Sequence, residues 1–124
     1  KKALVVFTDG NDNVSTLSLE TAGKRARLAG IPLFAVAQGE ALNDRALLAK
    51  LESIAALSGG MCFRVRYARD VEAVFGRIAK ELSHGYLISV SPHAGDPGAW
   101  HSIAVETPRA KNLEVRSRQG YYVP

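Results

Sequence analysis

Ala3-Leu4-Val5-Val6-Phe7-Thr8-Asp9-Gly10 opens the chain as an unbroken apolar run that stops at a hydroxyl, a carboxylate and a glycine. β-Branched and large apolar residues in succession predict a strand covered on both faces, which means the interior of a parallel α/β sheet. In such a sheet, groups just beyond the carboxyl end of a strand face the crevice where ligands bind. Asp9 is the candidate residue there. Asp-Gly is also a common turn pair, so taken alone the two residues read equally as a reversal of the chain.

At 124 residues, 47% hydrophobic and 23% charged, the chain has the size and balance of one globular domain with a real core. No apolar run nears the roughly 20 residues of a membrane-spanning helix, and no charged, apolar, small-residue signal opens it. A start at Lys1-Lys2 that enters a core strand at once reads as a piece cut from something longer. Compartment is therefore open, and a secreted or envelope-associated parent is compatible with these residues. The single cysteine, Cys62, excludes an internal disulfide and, between Met61 and Phe63, reads as a buried inert thiol. A net charge of +4 allows weak attraction to acidic partners and no more. The basic groups, Lys24, Arg25 and Arg27, then Arg64, Arg66 and Arg69, then Arg109, Lys111, Arg116 and Arg118, are not interleaved with aromatics as a nucleic-acid platform would be. They are expected on solvated faces, with no nucleic acid as partner.

After Asp9-Gly10, Asn11 to Ser15 is a polar loop of residues that bond their own backbone. Ser15, Thr16 or Ser18 then offers a helix cap, and Glu20 suits the positive end of the helix. Leu19, Ala22, Ala26 and Ala29 make one apolar stripe opposite Lys24, Arg25 and Arg27. Gly30 closes the helix, and Ile31-Pro32 leads into Leu33-Phe34-Ala35-Val36-Ala37, a second apolar strand. Gln38-Gly39-Glu40 leaves it at the same end of the sheet as Asp9. Asn43 or Asp44 caps a second helix with Leu47, Leu48, Leu51, Ile54 and Ala55 as its core stripe, stopped by Ser58-Gly59-Gly60. Met61 to Val65 is a third strand, where Arg64 and Arg66 alternate with Phe63 and Val65 to give one solvated face and a place near the sheet's edge. Val71, Val74, Phe75, Ile78 and Leu82 stripe a helix from about Asp70 to Ser83.

Strands joined by helices of these lengths make right-handed crossovers and a parallel sheet. The last third changes character. Tyr86 to Ser91, the breaker-rich Pro92 to Gly98, and Trp100 to Thr107 with Ile103 and Val105 alternating predict a hairpin with a long loop. Leu113 to Arg116 alternates again before Gly120-Tyr121-Tyr122. Two units are expected: an α/β body over residues 1–83, and an antiparallel β segment over 84–124 that packs on it or continues it.

In this order, strand, Thr8-Asp9-Gly10, polar loop, helix, Gly30-Ile31-Pro32-Leu33, strand, Gly39, helix, Ser58-Gly59-Gly60 and strand, the chain resembles the von Willebrand factor type A domain. It looks in particular like the bacterial subgroup whose last helix is followed by a Tyr-Leu strand, a Trp-containing strand and a terminal Arg-x-x-Gly-Tyr-Tyr, here Arg118 to Tyr122. The likeness covers nearly the whole chain but only the second half of the family's fold. It implies a three-layer Rossmann-like architecture, here a partial parallel sheet with helices and C-terminal antiparallel strands, and a non-enzymatic adhesion-type module.

In that family the loops at the carboxyl ends of the strands hold a divalent cation, Mg2+ or Mn2+, which an acidic group of a partner protein completes. The family's ligands are an Asp-x-Ser-x-Ser, a Thr from a later loop and the Asp of Thr-Asp-Gly; Asp9 matches the last. No Asp-x-Ser-x-Ser occurs in this sequence, and Ser89-Val90-Ser91 follows Leu87 in the wrong region. Mg2+ wants near-octahedral oxygen donors, so one carboxylate with waters does not hold it usefully. The expectation is therefore no specific metal binding by these residues alone, and Asp9 as a ligand in the full-length parent. Asp12 reads as a loop residue.

Other constellations carry less. His84, His93 and His101 share no metal-ligand spacing. No nucleophile elbow, dinucleotide fingerprint or P-loop is present. Trp100, Tyr121 and Tyr122 read either as anchors for a partner or as cover for a small core in the appended sheet, with the second favoured. The alternative function is a hydrolase or phosphotransferase with Asp9 as nucleophile or metal ligand. Asp12 and Glu40 could serve it as a second acid, but no lysine follows the second or third strand. In the family, the strand matching Ala3 to Phe7 lies in mid-sheet, beside one from the half absent here. Its outer edge would then be unpaired, which predicts a homodimer or strand exchange through residues 3 to 8.

Overall fold

β1 (Leu4–Thr8) runs parallel to β2 (Leu33–Ala37), with Leu4 opposite Leu33 and Thr8 opposite Ala37. On its other side, β2 pairs in parallel with β3 (Cys62–Arg64), giving the sheet order β1-β2-β3. The structure is a computed structural model that describes residues 2–10, 18–91, 96–109 and 113–123. Asp12, the candidate caps Ser15 and Thr16, and also His93 and Lys111 lie outside the described residues.

The helices form where periodicity and capping agree. α1 (Leu19–Leu28) begins at Ser18, whose side chain accepts the Thr21 N–H at 3.2 Å. α2 (Arg45–Ser58) begins at Asp44, whose Oδ1 accepts the Leu47 N–H at 2.9 Å. Each cap satisfies one of the N–H groups that a first turn leaves without a partner. α2 ends at Gly59, held at φ 85°, the left-handed conformation that glycine adopts without a Cβ penalty. α3 (Val71–Ser83) follows a 3₁₀ turn at Ala68–Asp70.

Because side chains alternate across a strand, the sheet has two faces, and each is covered by helix. Val6, Leu33, Ala35 and Ala37 pack with Ala26 of α1 and Leu47, Leu48, Leu51 and Ala55 of α2. Val5, Phe34, Val36, Phe63 and Val65 pack with Val74 and Ile78 of α3. Each large apolar side chain taken fully from water in this way contributes about 1.5–3 kcal/mol. α1 lies close on α2 because Gly23 has no side chain; a Cβ there would collide with Ile54. Ser58 ties α2 to the start of β2: its Oγ accepts the Leu33 N–H at 2.9 Å and donates to the Ala55 carbonyl at 2.8 Å. Among the described residues no helix is long and apolar enough to cross a membrane.

Several expectations need correction. β1 is not covered on both faces: Leu4 is 40% and Phe7 45% exposed, because β1 pairs only with β2 among the described residues and no helix reaches over its outer side. Phe75 does not complete the stripe of α3 but stays 47% exposed, its ring centroid 5.8 Å from that of Phe7. The hairpin between Tyr86–Ser91 and Trp100–Thr107 does not form. β4 (Trp100–Ser102) instead pairs antiparallel with β5 (Gly120–Tyr122). The reason lies in cross-strand pairs: Trp100 packs on Tyr122 with centroids 4.9 Å apart, and His101 stacks on Tyr121 at 5.4 Å. Gly120 lets the two strands close, since a Cβ there would collide with the Trp100 ring and the His101 carbonyl. Tyr86 and Leu87, with no such partner, are 95% and 93% exposed. Leu113 to Arg116 forms no strand either.

The basic residues are not all on solvated faces. The Arg27 guanidinium is half-buried over the Trp100 ring, 4.6 Å from its centroid, and pins the β4–β5 ribbon to the end of α1. Trp100 and Tyr122 thus cover an arginine rather than an apolar core.

Candidate functional site at the carboxyl ends of the strands

Three parallel strands bring their carboxyl ends out together, and the loops after β1 and β2 touch there. Thr8 Oγ1 donates to the Gly10 carbonyl at 2.7 Å, a local turn that ends β1. The Gln38 N–H reaches the Thr8 carbonyl at 2.9 Å, so the ladder runs to the last residue of the strand. Gly39, at φ 56°, then folds the chain back over Asp9; a Cβ at Gly39 would lie 3.6 Å from the Asp9 Cβ. The Ala41 N–H closes the arrangement on the Asp9 carbonyl at 2.8 Å. Asp9 therefore has a fixed backbone and an exposed side chain, and the loop that fixes it is the short 3₁₀ turn Gly39–Leu42.

The neighbours at this pole are mixed in charge. Glu40 is exposed and accepts a 3.4 Å hydrogen bond from Asn43 Nδ2. On the β3 side Arg64 pairs with Glu52 at 2.6 Å, and the Val65 N–H bonds the Ala37 carbonyl at 2.8 Å. Arg66 is exposed. Among the described residues no three His, Cys, Asp or Glu side chains converge as a metal cluster. One carboxylate with a solvated neighbour does not meet the octahedral demand of Mg2+, so the described residues do not fit the ion by themselves. What the arrangement offers is a rigidly held anionic oxygen at the mouth of a loop cluster.

The remaining sequence candidates lie elsewhere and apart. Cys62 is half-buried in β3, where burial first, and the Glu52 carboxylate second, raise its thiol above the usual range, which keeps it protonated and unreactive. His84 caps the end of α3, its Nδ1 2.9 Å from both Ser83 Oγ and the Lys80 carbonyl. His101 lies in the β4–β5 ribbon against Tyr121. Sequence reasoning missed two features: the ion pairs of Arg116 with Glu81 and Glu114, both at 2.9 Å, and the burial of Arg27. Neither has a local signal, because Arg27 and its hydrogen-bond partner Tyr122 are 95 residues apart.

Comparison with known proteins bears on the fold. No curated protein matches the chain. A crystal structure described as an uncharacterized membrane spanning protein from Vibrio fischeri is similar with a TM-score of 0.54 at 18% identity, covering 64% of this chain and 46% of that one. The chain thus spans about half the length of that structure, and the likeness at this identity is one of fold. The family model for the von Willebrand factor type A domain matches residues 1–77, which hold β1, α1, β2, α2, β3 and most of α3. The chain belongs to the von Willebrand factor type A domain family, a family of protein-interaction modules.

Proposed function

We propose that the chain is a non-enzymatic binding module whose contact pole is the carboxyl end of β1 and β2, with Asp9 as its central group. The observation that carries this reading is the lock on Asp9: its carbonyl is held by the Ala41 N–H at 2.8 Å while its side chain stays exposed. A carboxylate positioned so firmly in a loop cluster is prepared for recognition at little entropic cost. No lysine stands in the loops after β2 and β3 to support phosphoryl chemistry, which favours binding over catalysis.

Where a longer protein supplies an Asp-x-Ser-x-Ser loop, Asp9 becomes one oxygen ligand of Mg2+ or Mn2+, and an acidic group of the partner protein takes an open position on the ion. The present residues alone bind no divalent ion specifically. Calorimetric titration of Mg2+ and Mn2+ tests both halves. The 124-residue chain gives no saturable heat at micromolar metal, and a longer protein carrying the missing loop gives binding that Asp9→Ala abolishes. Micromolar binding to the short chain that is lost with Asp9→Ala contradicts the first half, and indifference of the longer protein to that substitution contradicts the second.

The outer edge of β1 is offered to a second copy of the chain. What supports this is the alternation of the strand: Leu4 donates inward to Pro32 at 2.9 Å, so Val5 and Phe7 turn their backbone groups outward. Leu4, Phe7 and Phe75 expose apolar surface beside that edge. An open apolar edge is a template for strand addition. Light scattering over a concentration series gives a mass rising to twice that of the chain; a constant monomer mass at high concentration contradicts it.

A further inference from the structure

We propose that the junction of α1 with the β4–β5 ribbon is a pocket for a small organic carboxylate attached to a flat apolar body. It lies at the opposite pole from Asp9, because α1 runs back from the carboxyl ends of the strands and its last turn delivers the chain to the start of β2.

The cavity measures about 180 Å3, and Arg27, Trp100, Arg118, Tyr121 and Tyr122 line it. Arg27 is fixed by three contacts: its guanidinium carbon is 4.6 Å from the Trp100 centroid and 5.6 Å from that of Tyr122, and its Nη2 donates to the Tyr122 hydroxyl at 3.2 Å. Its Nε is shut off from solvent and has no hydrogen-bond acceptor among the described residues. A buried donor without an acceptor is rare and calls for a partner. Arg118, exposed at the rim, is the second cation.

Charge accounting separates these two from the other arginines. Arg64, Arg69 and Arg116 each have a carboxylate within 4.0 Å. Among the described residues neither Arg27 nor Arg118 has one. Two guanidinium groups share one cavity without a counter-ion. A guanidinium presents a planar fork of donors that matches a carboxylate in bidentate fashion. The aromatic walls supply the flat faces against which a ring packs. The volume is below the roughly 300 Å3 at which drug-sized sites begin, so the ligand is about the size of benzoate.

The chain has one tryptophan, Trp100, and it lines the pocket, so its fluorescence reports occupancy directly. Benzoate is titrated into the 124-residue chain, with benzamide as the neutral isostere and acetate as the anion without a ring. The expected result is a saturable change in Trp100 emission with benzoate, and binding at least about tenfold weaker for either control, the size of one lost charge-assisted contact. Arg118→Ala weakens benzoate by about tenfold, and Arg118→Lys does not restore it fully because the fork is gone. Arg27→Lys, checked for a folded circular dichroism spectrum, weakens it as well. Chelation of divalent ions leaves the titration unchanged, so it stands or falls apart from the Asp9 pole. No saturable change up to about 20 mM benzoate, equal binding of benzamide, or an Arg118→Ala protein that binds as before overturns the proposal.

Discussion

β1 and β2 are written in the same apolar alphabet and end in opposite states. Leu33 to Ala37 is buried at all five positions, whereas in Leu4 to Thr8 no residue is. The difference is one of neighbours. β2 has a strand on each side, α2 against one face and α3 against the other. β1 has β2 on one side and nothing described on the other. A run of apolar residues states that a strand tolerates cover on both faces; what supplies the cover is decided by the rest of the fold. The Tyr86–Ser91 segment makes the same point more strongly, with β-forming residues that have no strand beside them.

The comparison can be broken by deleting side chains on either side of it. Leu51, 1% exposed behind β2, is expected to cost about 2–5 kcal/mol as Leu51→Ala, through lost burial and a residual cavity. Leu4→Ala on the outer strand and Leu87→Ala in the unpaired segment are expected to stay within about 1 kcal/mol. Urea unfolding with unchanged m-values checks all three. A Leu4→Ala loss as large as that of Leu51→Ala would mean that β1 is covered after all.

Ser58→Ala sharpens the account of how β2 is anchored. It leaves the buried Leu33 N–H without its 2.9 Å acceptor and should cost about 1–3 kcal/mol in the same assay. Two helical glycines give the next contrast. Gly23→Ala forces a methyl against Ile54 and lowers stability by about 1–2 kcal/mol even after the gain in helix propensity. Gly76→Ala meets no atom within 4 Å and raises stability by up to about 1 kcal/mol.

The smallest effect belongs to the surface. The Lys50 ammonium, 2.6 Å from Glu20, holds that carboxyl below its ordinary value. A lowered folded value means that the pairing helps above the unfolded value and is lost as pH falls through the folded one. Both partners are largely exposed, so Glu20→Gln should shift the Tm barely at neutral pH and not at all in acid. A large shift would make α1 depend on this pair rather than on its packing.

What could be read in the sequence was local. The five parallel-sheet and helix elements of the body, the caps Ser18 and Asp44, the stop at Gly59 and the solvated alternation of Arg64 and Arg66 all follow from spacing and from residue chemistry within a turn or two. The place of Asp9 at the tip of β1 followed in the same way. Its lock on Ala41 did not, because it depends on Gly39 taking a left-handed conformation that brings a second loop across. The β4–β5 pairing was hidden for a comparable reason. Trp100 had a plausible partner nearby in Tyr86 to Ser91, and the one it takes, Tyr122, is selected by ring packing and by the bare backbone of Gly120. Arg27 looked like a member of a basic surface group until an aromatic ribbon from the far end of the chain closed over it.

Amide exchange in β1, resolved by residue and measured over a range of protein concentrations, tests the central claim most directly. If β1 is the outer rung that carries Asp9, the inward amides of Leu4, Val6 and Thr8 exchange slowly at every concentration. The outward amides of Val5 and Phe7 exchange fast in dilute solution and slow down as the edge finds a second copy. Val5 and Phe7 as protected as their neighbours at the lowest concentration, or fast exchange at all five positions, would contradict the account.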